Sequence, residues 1–150
     1  MGHEQMNRSA SIICMIAGLS WLASAMATGP SAAGRWQIIN DQGGKPTGVM
    51  KIYEHNGEYC GMLEEVYDNP DKLCVKCAGD KKDRPVQGLT IMEGLRRNGE
   101  HYTGGRILDP STGHVWRCKL RLSPDGDTLV IRGYLGVSLL GRNQTWHRLP

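Results

Sequence analysis

Hydrophobic and polar residues alternate with a period of about two along most of the chain after residue 28, and turn residues separate the alternating segments. Successive side chains of a β-strand point to opposite faces of the sheet, so this pattern is typical of antiparallel strands. A helical period of about 3.6 residues is hard to find in the same region. The sequence therefore predicts an all-β domain.

Eight strands can be placed on these segments. They cover residues 35–40, 48–55, 58–66, 88–95, 101–108, 114–122, a seventh run through 129–135, and 142–149. Short connections between successive strands predict an up-and-down meander. Eight strands can close on themselves, and closure removes the exposed edges that invite aggregation. The predicted fold is a small antiparallel up-and-down β-barrel.

The clearest local signal is Asn56-Gly57, the residue pair that favours a two-residue turn between antiparallel strands. Such a turn pairs Tyr53 with Cys60. Residues two apart on a strand share a face, so this register assigns one set of side chains to the interior. That set is Met50, Ile52, Gly61 and Leu63.

The sixth strand alternates most cleanly, with apolar residues on one face and Arg117, Lys119 and Arg121 on the other. The same alternation assigns Ile91 and Ile131 to the interior. An eight-stranded barrel is just wide enough to be filled by side chains or to hold one small ligand, and both interpretations stay open. The residues predicted to line a ligand pocket are Met50, Ile52, Leu63, Ile91, Trp116, Leu120 and Ile131.

Gly34 and Trp36 open the first strand, and the last strand carries Trp146 between Arg142 and Arg148. Tryptophan is more often a core residue than a ligand platform, and a guanidinium group stacks well on an indole ring. We therefore predict that Trp36 and Trp146 close one end of the barrel. Either Arg142 or Arg148 is expected to stack on an indole there.

The segment 67–87 has no clear periodicity and carries Cys74 and Cys77. Loops of this length tend to be functional or disordered. In an oxidising compartment the two cysteines are expected to form a disulfide. The alternatives are a metal site, which needs two further ligands, and a redox pair, which needs a helix after the first cysteine. Cys60 and Cys118 fall on opposite faces, which argues against a bridge between them.

The first 27 residues have the three parts of a secretory signal peptide. Arg8 supplies the positive charge, residues 12–23 form an apolar run, and Ala25-Met26-Ala27 is a small-x-small cleavage site. The run is too short to span a bilayer comfortably. Cleavage would leave one domain over 28–150. The expected location is the periplasm or the medium.

The formal net charge of +3 does not change when that segment is removed, because it holds one acid and one base. Lysine and arginine are scattered along the sequence, so a solvated surface is favoured over a nucleic-acid patch. No second long apolar run follows residue 28, so no transmembrane helix is predicted there. The sequence has no motif for nucleophilic catalysis, zinc proteases or phosphate binding. These observations predict a non-enzymatic protein without cofactor or metal.

Several landmarks, taken in order, resemble one bacterial family. They are Gly34-x-Trp36, Gly48-Val49, Asn69-Pro70, Cys74-x-x-Cys77-x-Gly79-Asp80, Gly88-Leu89-x-Ile91, Gly104-Gly105-x-Ile107-x-Asp109-Pro110-x-x-Gly113 and the closing run from Arg132 to Trp146. This pattern resembles the exported family called domain of unknown function 2147. The Gly-x-Trp start is also similar to that of the lipocalins, in which an arginine from the end of the barrel packs over the tryptophan. The resemblance implies a lipocalin-like fold and export, and no established activity.

Three functions follow as hypotheses. The first is an exported, non-enzymatic barrel that binds a small apolar or amphipathic ligand. The second is a structural or protein-interaction module of the cell envelope with a filled barrel, whose long loop meets a partner. The third is a thiol or metal-binding protein that uses Cys74 and Cys77.

Overall fold

A computed structural model describes residues 29–41, 43–134 and 141–150 of the chain. Each strand is hydrogen-bonded antiparallel to the next, and the first strand also pairs with the last. The sheet therefore closes into an eight-stranded up-and-down barrel, and the predicted fold class is confirmed. The expected signal peptide at 1–27 and the link at 135–140 lie outside the described residues.

The strands follow the predicted order with small shifts at their ends. They are β1 Gly34–Ile39, β2 Pro46–His55, β3 Glu58–Val66, β4 Thr90–Asn98, β5 His101–Leu108, β6 Val115–Leu122, β7 Thr128–Tyr134 and β8 Arg142–Arg148. A single turn of 3-10 helix, Gly79–Lys81, interrupts the long connection between β3 and β4. In the described part of the chain, no helix is long and apolar enough to cross a membrane.

The β2–β3 hairpin has the predicted register, with Tyr53 opposite Cys60 and Ile52 opposite Gly61. Asn56 has a φ of 50° and Gly57 a φ of 77°. These left-handed values are what a two-residue type I′ turn requires. The short turn therefore sets which face of β2 and β3 points into the barrel.

The structure corrects the predicted direction of Ile91. Gly61 pairs with Met92, whereas the next residue of β3, Met62, pairs with Thr90. This bulge leaves Ile91 as an extra residue, and a bulge re-aims the side chain that it adds. Ile91 lines a cleft on the outside of the barrel, beside the β3–β4 connection. Met92, with no exposed surface, takes the interior position instead.

The two ends of the barrel carry different connections. The end that we call the closed end holds the segment 29–33 and the turns at 56–57, 99–100 and 123–127. The opposite end, which we call the open end, holds the connection between β1 and β2, the turn at 109–114 and the connection 67–89. Both names follow from how the side chains pack at each end.

Candidate functional site

The closed end is covered by the segment 29–33, which crosses it before β1 begins. The indole Nε1 of Trp36 donates a hydrogen bond to the carbonyl oxygen of Ala32 at 2.8 Å. The backbone N–H of Ala32 donates in turn to the hydroxyl of Tyr102 at 2.9 Å. Ala32 and Trp36 have no exposed surface. Two interior side chains therefore hold the segment in place and shut this end.

Arg148 holds the same segment from the last strand. Its guanidinium group lies 4.3 Å from the ring centre of Trp36, a distance at which a cation is attracted to the face of an indole. It also donates hydrogen bonds to the carbonyl oxygens of Ser31, Ala33 and Gly126 at 2.6, 3.0 and 2.6 Å. One arginine thus ties β8, the covering segment and the β6–β7 turn together.

Of the two arginines predicted to stack on an indole, Arg148 is the one that lies over Trp36. Arg142 lies at the other end of β8, where it pairs with Gly133. Gly34 is required beside Arg148. A Cβ atom on Gly34 would lie 2.5 Å from Nη1 of Arg148, and its φ of 140° is one that other residues rarely adopt. The last predicted residue of this group, Trp146, is 2% exposed and pairs with Leu129.

The middle of the barrel is filled by side chains. Met50, Ile52 and Leu120, three of the residues predicted to line a pocket, are each 1% exposed. Leu63 at 8% and Ile131 at 4% lie in the same buried cluster. A ligand has no free surface to contact at this level, because protein interiors of this kind are close-packed. Any ligand space inside the barrel must therefore lie nearer the open end.

Inner-facing side chains near the open end are only half-buried. Ile107 pairs with Trp116 across β5 and β6. Ile38 and Val66 both pair with Gly48, one from each side. Three of these residues pack on the core with part of their surface exposed, and Trp116 is half-buried as well. We call this group the open-end cup: Ile38, Val66, Ile107 and Trp116.

Sequence reasoning placed Trp116 in a pocket but missed Ile38, Val66 and Ile107. The alternation alone could have found Ile38, which follows Trp36 by two residues on β1. Val66 and Ile107 stand at the ends of the apolar stripes of β3 and β5. Nothing in a single strand shows that its stripe is packed at one end and exposed at the other.

Polar groups also occur at the open end. Gln144 pairs with Ile131, so it faces the interior, and its Oε1 accepts a hydrogen bond from Nε1 of Trp146 at 3.3 Å. Arg142 lies two residues before Gln144 on the same face of β8, and its side chain is exposed. A positive side chain therefore stands at the rim of an inner surface that is mostly apolar.

Cys74 and Cys77 form the expected disulfide, and both are buried. The chain folds back around them, with Leu73 bridged to Pro85. Sγ of Cys74 lies 3.7 Å from the carbonyl oxygen of Pro110 in the β5–β6 turn. Contacts of this kind hold the disulfide loop against the barrel at the open end.

Two polar contacts anchor the same loop. Lys81 makes an ion pair with Glu93 of β4 at 3.1 Å, and Lys72 donates a hydrogen bond to the hydroxyl of Ser111 at 3.1 Å. Such exposed contacts are individually weak. Together with the buried disulfide, they order a segment that sequence periodicity left undefined.

The other cysteines in the described part of the chain, Cys60 and Cys118, are not bonded. Cys118 has no exposed surface, and burial raises the pKa of its thiol to about 12. A thiol must ionise to act as a nucleophile or a metal ligand, so Cys118 is inert at neutral pH. Among the described residues, no three His, Cys, Asp or Glu side chains group closely enough to hold a metal ion.

Comparison with known sequences identifies the family. A family described as "Uncharacterized protein conserved in bacteria", domain of unknown function 2147, matches residues 34–148. The chain belongs to this bacterial family. The match covers every strand of the barrel, from Gly34 to Arg148. No curated protein matches the chain.

The fold of this family member is shared with a solved structure. It is similar to protein HP1028 from the human pathogen Helicobacter pylori, which is described as belonging to the lipocalin family. The TM-score is 0.71 at 19% sequence identity, over 81% of this chain and 84% of that chain. A likeness at this identity shows that both chains form the same kind of barrel.

Proposed function

We propose that the protein is a non-enzymatic, exported barrel that binds one small apolar or amphipathic ligand in the open-end cup. The observation that carries the proposal is the contrast between a fully packed barrel middle and half-exposed hydrophobic side chains above it. Covering such surface is favourable because it removes apolar area from water. Eight-stranded barrels of this kind can hold one small ligand.

The packing favours an amphipathic ligand over a fully apolar one. Met50 and Leu120 fill the barrel below the cup, so a ligand reaches only the outer part of the interior. Its apolar part would contact the cup, and its other end would stay near the rim. Arg142 offers a positive charge there, and a guanidinium group pairs well with a carboxylate or a phosphate.

Export is part of the same proposal. The signal-peptide pattern of residues 1–27 supports it. The disulfide between Cys74 and Cys77 also supports it, because such bonds persist in oxidising compartments and are rare in the cytosol. N-terminal sequencing of the protein recovered from its native cells tests this part directly, with a mature chain that begins at residue 28 as the expected result.

Trp116 gives the binding test. We expect its fluorescence to shift to shorter wavelength when a long-chain fatty acid or lysophospholipid is titrated in, because the indole would leave water. Trp116→Ala should weaken binding by about tenfold, which corresponds to the apolar contact of a few methylene groups. Val115→Ala is the matched control, because Val115 is the neighbouring residue, is 53% exposed and faces outward.

The opposite outcome favours the second candidate function. If no amphiphile shifts the fluorescence, and native mass spectrometry of envelope-purified protein shows bare chains, the barrel is a filled scaffold. The observation that supports this alternative is the ordered disulfide loop at the open end. The protein would then present that loop to a protein partner, and cross-linking from the loop would identify the contact.

A further inference from the structure

The charges of the barrel are divided between its two halves. Strands β5 to β8 contain no Asp or Glu, whereas β1 to β4 carry five glutamates. Four of these glutamates make ion pairs with basic side chains, as in the ion pairs of Glu64 with Arg35 and of Glu58 with Arg96. Lysine and arginine look scattered in the sequence, but the barrel gathers one group of them on strands that contain no acidic residue, with Glu93 of the neighbouring β4 at the edge of the group.

This group lies on the outer surface of β5, β6 and β7. Strand alternation points its members away from the interior, because Cys118, Leu120 and Ile131 between them are buried. From the spacing of strands and residues, the group covers about 10 by 13 Å. We call it the basic face: Arg106, Arg117, Lys119, Arg121 and Arg132.

Two pairs within the basic face lie directly opposite each other. Arg106 stands opposite Arg117 across β5 and β6, and Lys119 stands opposite Arg132 across β6 and β7. Glu93 of β4 stands on the other side of Arg106, so the pair of Lys119 and Arg132 carries most of the argument. Like charges in directly opposed positions destabilise a sheet. A surface that serves only solubility would avoid this cost by mixing both signs, as the other half of the barrel does.

We propose that the basic face docks on a lipid bilayer through the phosphate groups of anionic lipids. Charge complementarity selects an anionic partner, and the shape of the face selects a membrane. The face is the convex outside of a barrel. The cleft that Arg106 borders has no aromatic residue in its lining, whereas single-stranded nucleic acid needs a groove with stacking rings. Its aromatic residue, Tyr134, lies under the ammonium group of Lys119 at 5.9 Å. A bilayer needs only a dense set of cations at its surface.

The proposal is independent of ligand binding, because the basic face lies on the outside of the wall and the open-end cup on the inside. It places the barrel side-on against the membrane. For an exported protein, such a contact would keep the barrel at a membrane surface of the cell envelope. Each cation near an anionic surface strengthens binding about fivefold.

Vesicle co-sedimentation of the processed protein purified from its own cells tests the proposal. The probes are vesicles of phosphatidylcholine alone and vesicles with about a third phosphatidylglycerol, which carry the negative surface charge in question. We expect binding to the anionic vesicles only, and loss of binding at high salt, because salt screens exposed charges. Equal binding to both kinds of vesicle would overturn the proposal, and so would no binding to either.

A matched pair of variants separates the basic face from net charge. The triple variant Arg117→Gln, Lys119→Gln and Arg121→Gln should bind anionic vesicles about a hundredfold more weakly. The control Lys45→Gln, Lys51→Gln and Lys76→Gln removes the same charge from exposed positions elsewhere and should bind as the wild type does. Equal loss in both variants, or no loss in the first, would contradict docking through this face.

Two further measurements keep the result unambiguous. If the triple variant fails to fold, Arg106→Gln with Arg132→Gln tests the same face from the neighbouring strands, with the same expected direction. Short duplex DNA, added at the same phosphate concentration as the vesicles, should leave vesicle binding largely intact. Complete displacement by the DNA would assign the face to nucleic acid and overturn the membrane proposal.

Discussion

Gly34, Trp36 and Arg148 act as one unit at the closed end, although 112 residues separate Trp36 from Arg148. The indole supplies a flat surface for the guanidinium group, and the glycine leaves room for it. The guanidinium then has donors left for three backbone carbonyl groups. Lysine would lose most of this geometry, since it is a compact charge without the planar fork of arginine.

Cys118 gives a prediction about pH at the same scale. Burial raises the pKa of its thiol to about 12 from an ordinary value of 9.0. Its contribution to folding is therefore complete below about pH 9 and is lost as the pH rises toward 12, because the unfolded chain releases the proton first. We expect the stability advantage of the wild type over Cys118→Ala to be about 1 kcal/mol smaller at pH 10 than at pH 8.

Urea unfolding at a series of pH values measures this difference. Leu120→Ala is the matched control, because Leu120 is also buried on β6 and carries no titratable group. The loss of unfolding free energy caused by Leu120→Ala should not change with pH in this way. A constant cost for Cys118→Ala across the series would mean that the thiol is not held in an apolar environment.

At the scale of elements, the disulfide loop at 67–87 shows how a segment without periodicity becomes ordered. It buries Cys74, Cys77 and Val86 in the same cluster as the barrel wall. Its backbone pairs with itself, as in the hydrogen bond from the N–H of Val86 to the carbonyl oxygen of Lys72 at 2.9 Å. The loop is therefore a small covering layer on the outside of the barrel near the open end.

Replacing both Cys74 and Cys77 with serine should leave the barrel folded and free the loop. The expected loss of stability is about 2 kcal/mol, because the ring that the disulfide closes is small. Limited proteolysis followed by mass spectrometry should show new cuts between residues 67 and 87, with the strands still resistant.

Cys60→Ser is the control for this experiment, since it removes an unbonded thiol from β3 and should not change the cleavage pattern. If the double variant resists cleavage as the wild type does, the loop is held by its other contacts. The ion pair between Lys81 and Glu93 and the packing of Val86 would then carry the order of this segment.

At the scale of the whole molecule, one end of the barrel is covered and packed, whereas inner-facing side chains at the other end are partly exposed. The ladder that completes it, between β1 and β8, contains only two residue pairs. Closure therefore depends on side chains at this seam as well as on backbone hydrogen bonds. Trp36 and Arg148 stand opposite each other in that ladder, so the stacked pair reinforces the weakest junction of the sheet.

The same substitution at each end of the barrel tests this contrast. Trp36→Ala should cost roughly 3 kcal/mol or more, as for a fully buried large aromatic residue. Trp116→Ala should cost about 1 kcal/mol, because that side chain is already half-exposed. Chemical denaturation of both variants gives the two values. Equal costs would mean that the open end is packed as tightly as the closed end, and both the closure argument and the open-end cup would fail.

Short-range features of this protein were determined by the sequence. Alternation marked the strands because the side chains of a strand change face at every residue. Asn56-Gly57 set one hairpin register, because few residue pairs accept two left-handed conformations in succession. The pairing of Cys74 with Cys77 also followed from sequence, since residues three apart can meet without help from the fold.

Features that join distant strands were decided by the tertiary structure. The bulge in β4 turned Ile91 outward, because a single extra residue reverses an alternation that sequence reasoning extends unbroken. Arg148 rather than Arg142 reached Trp36, because only the far end of β8 lies beside β1. The basic face and the open-end cup arose in the same way. Each combines residues from separate strands, and only the register of the closed sheet brings them together.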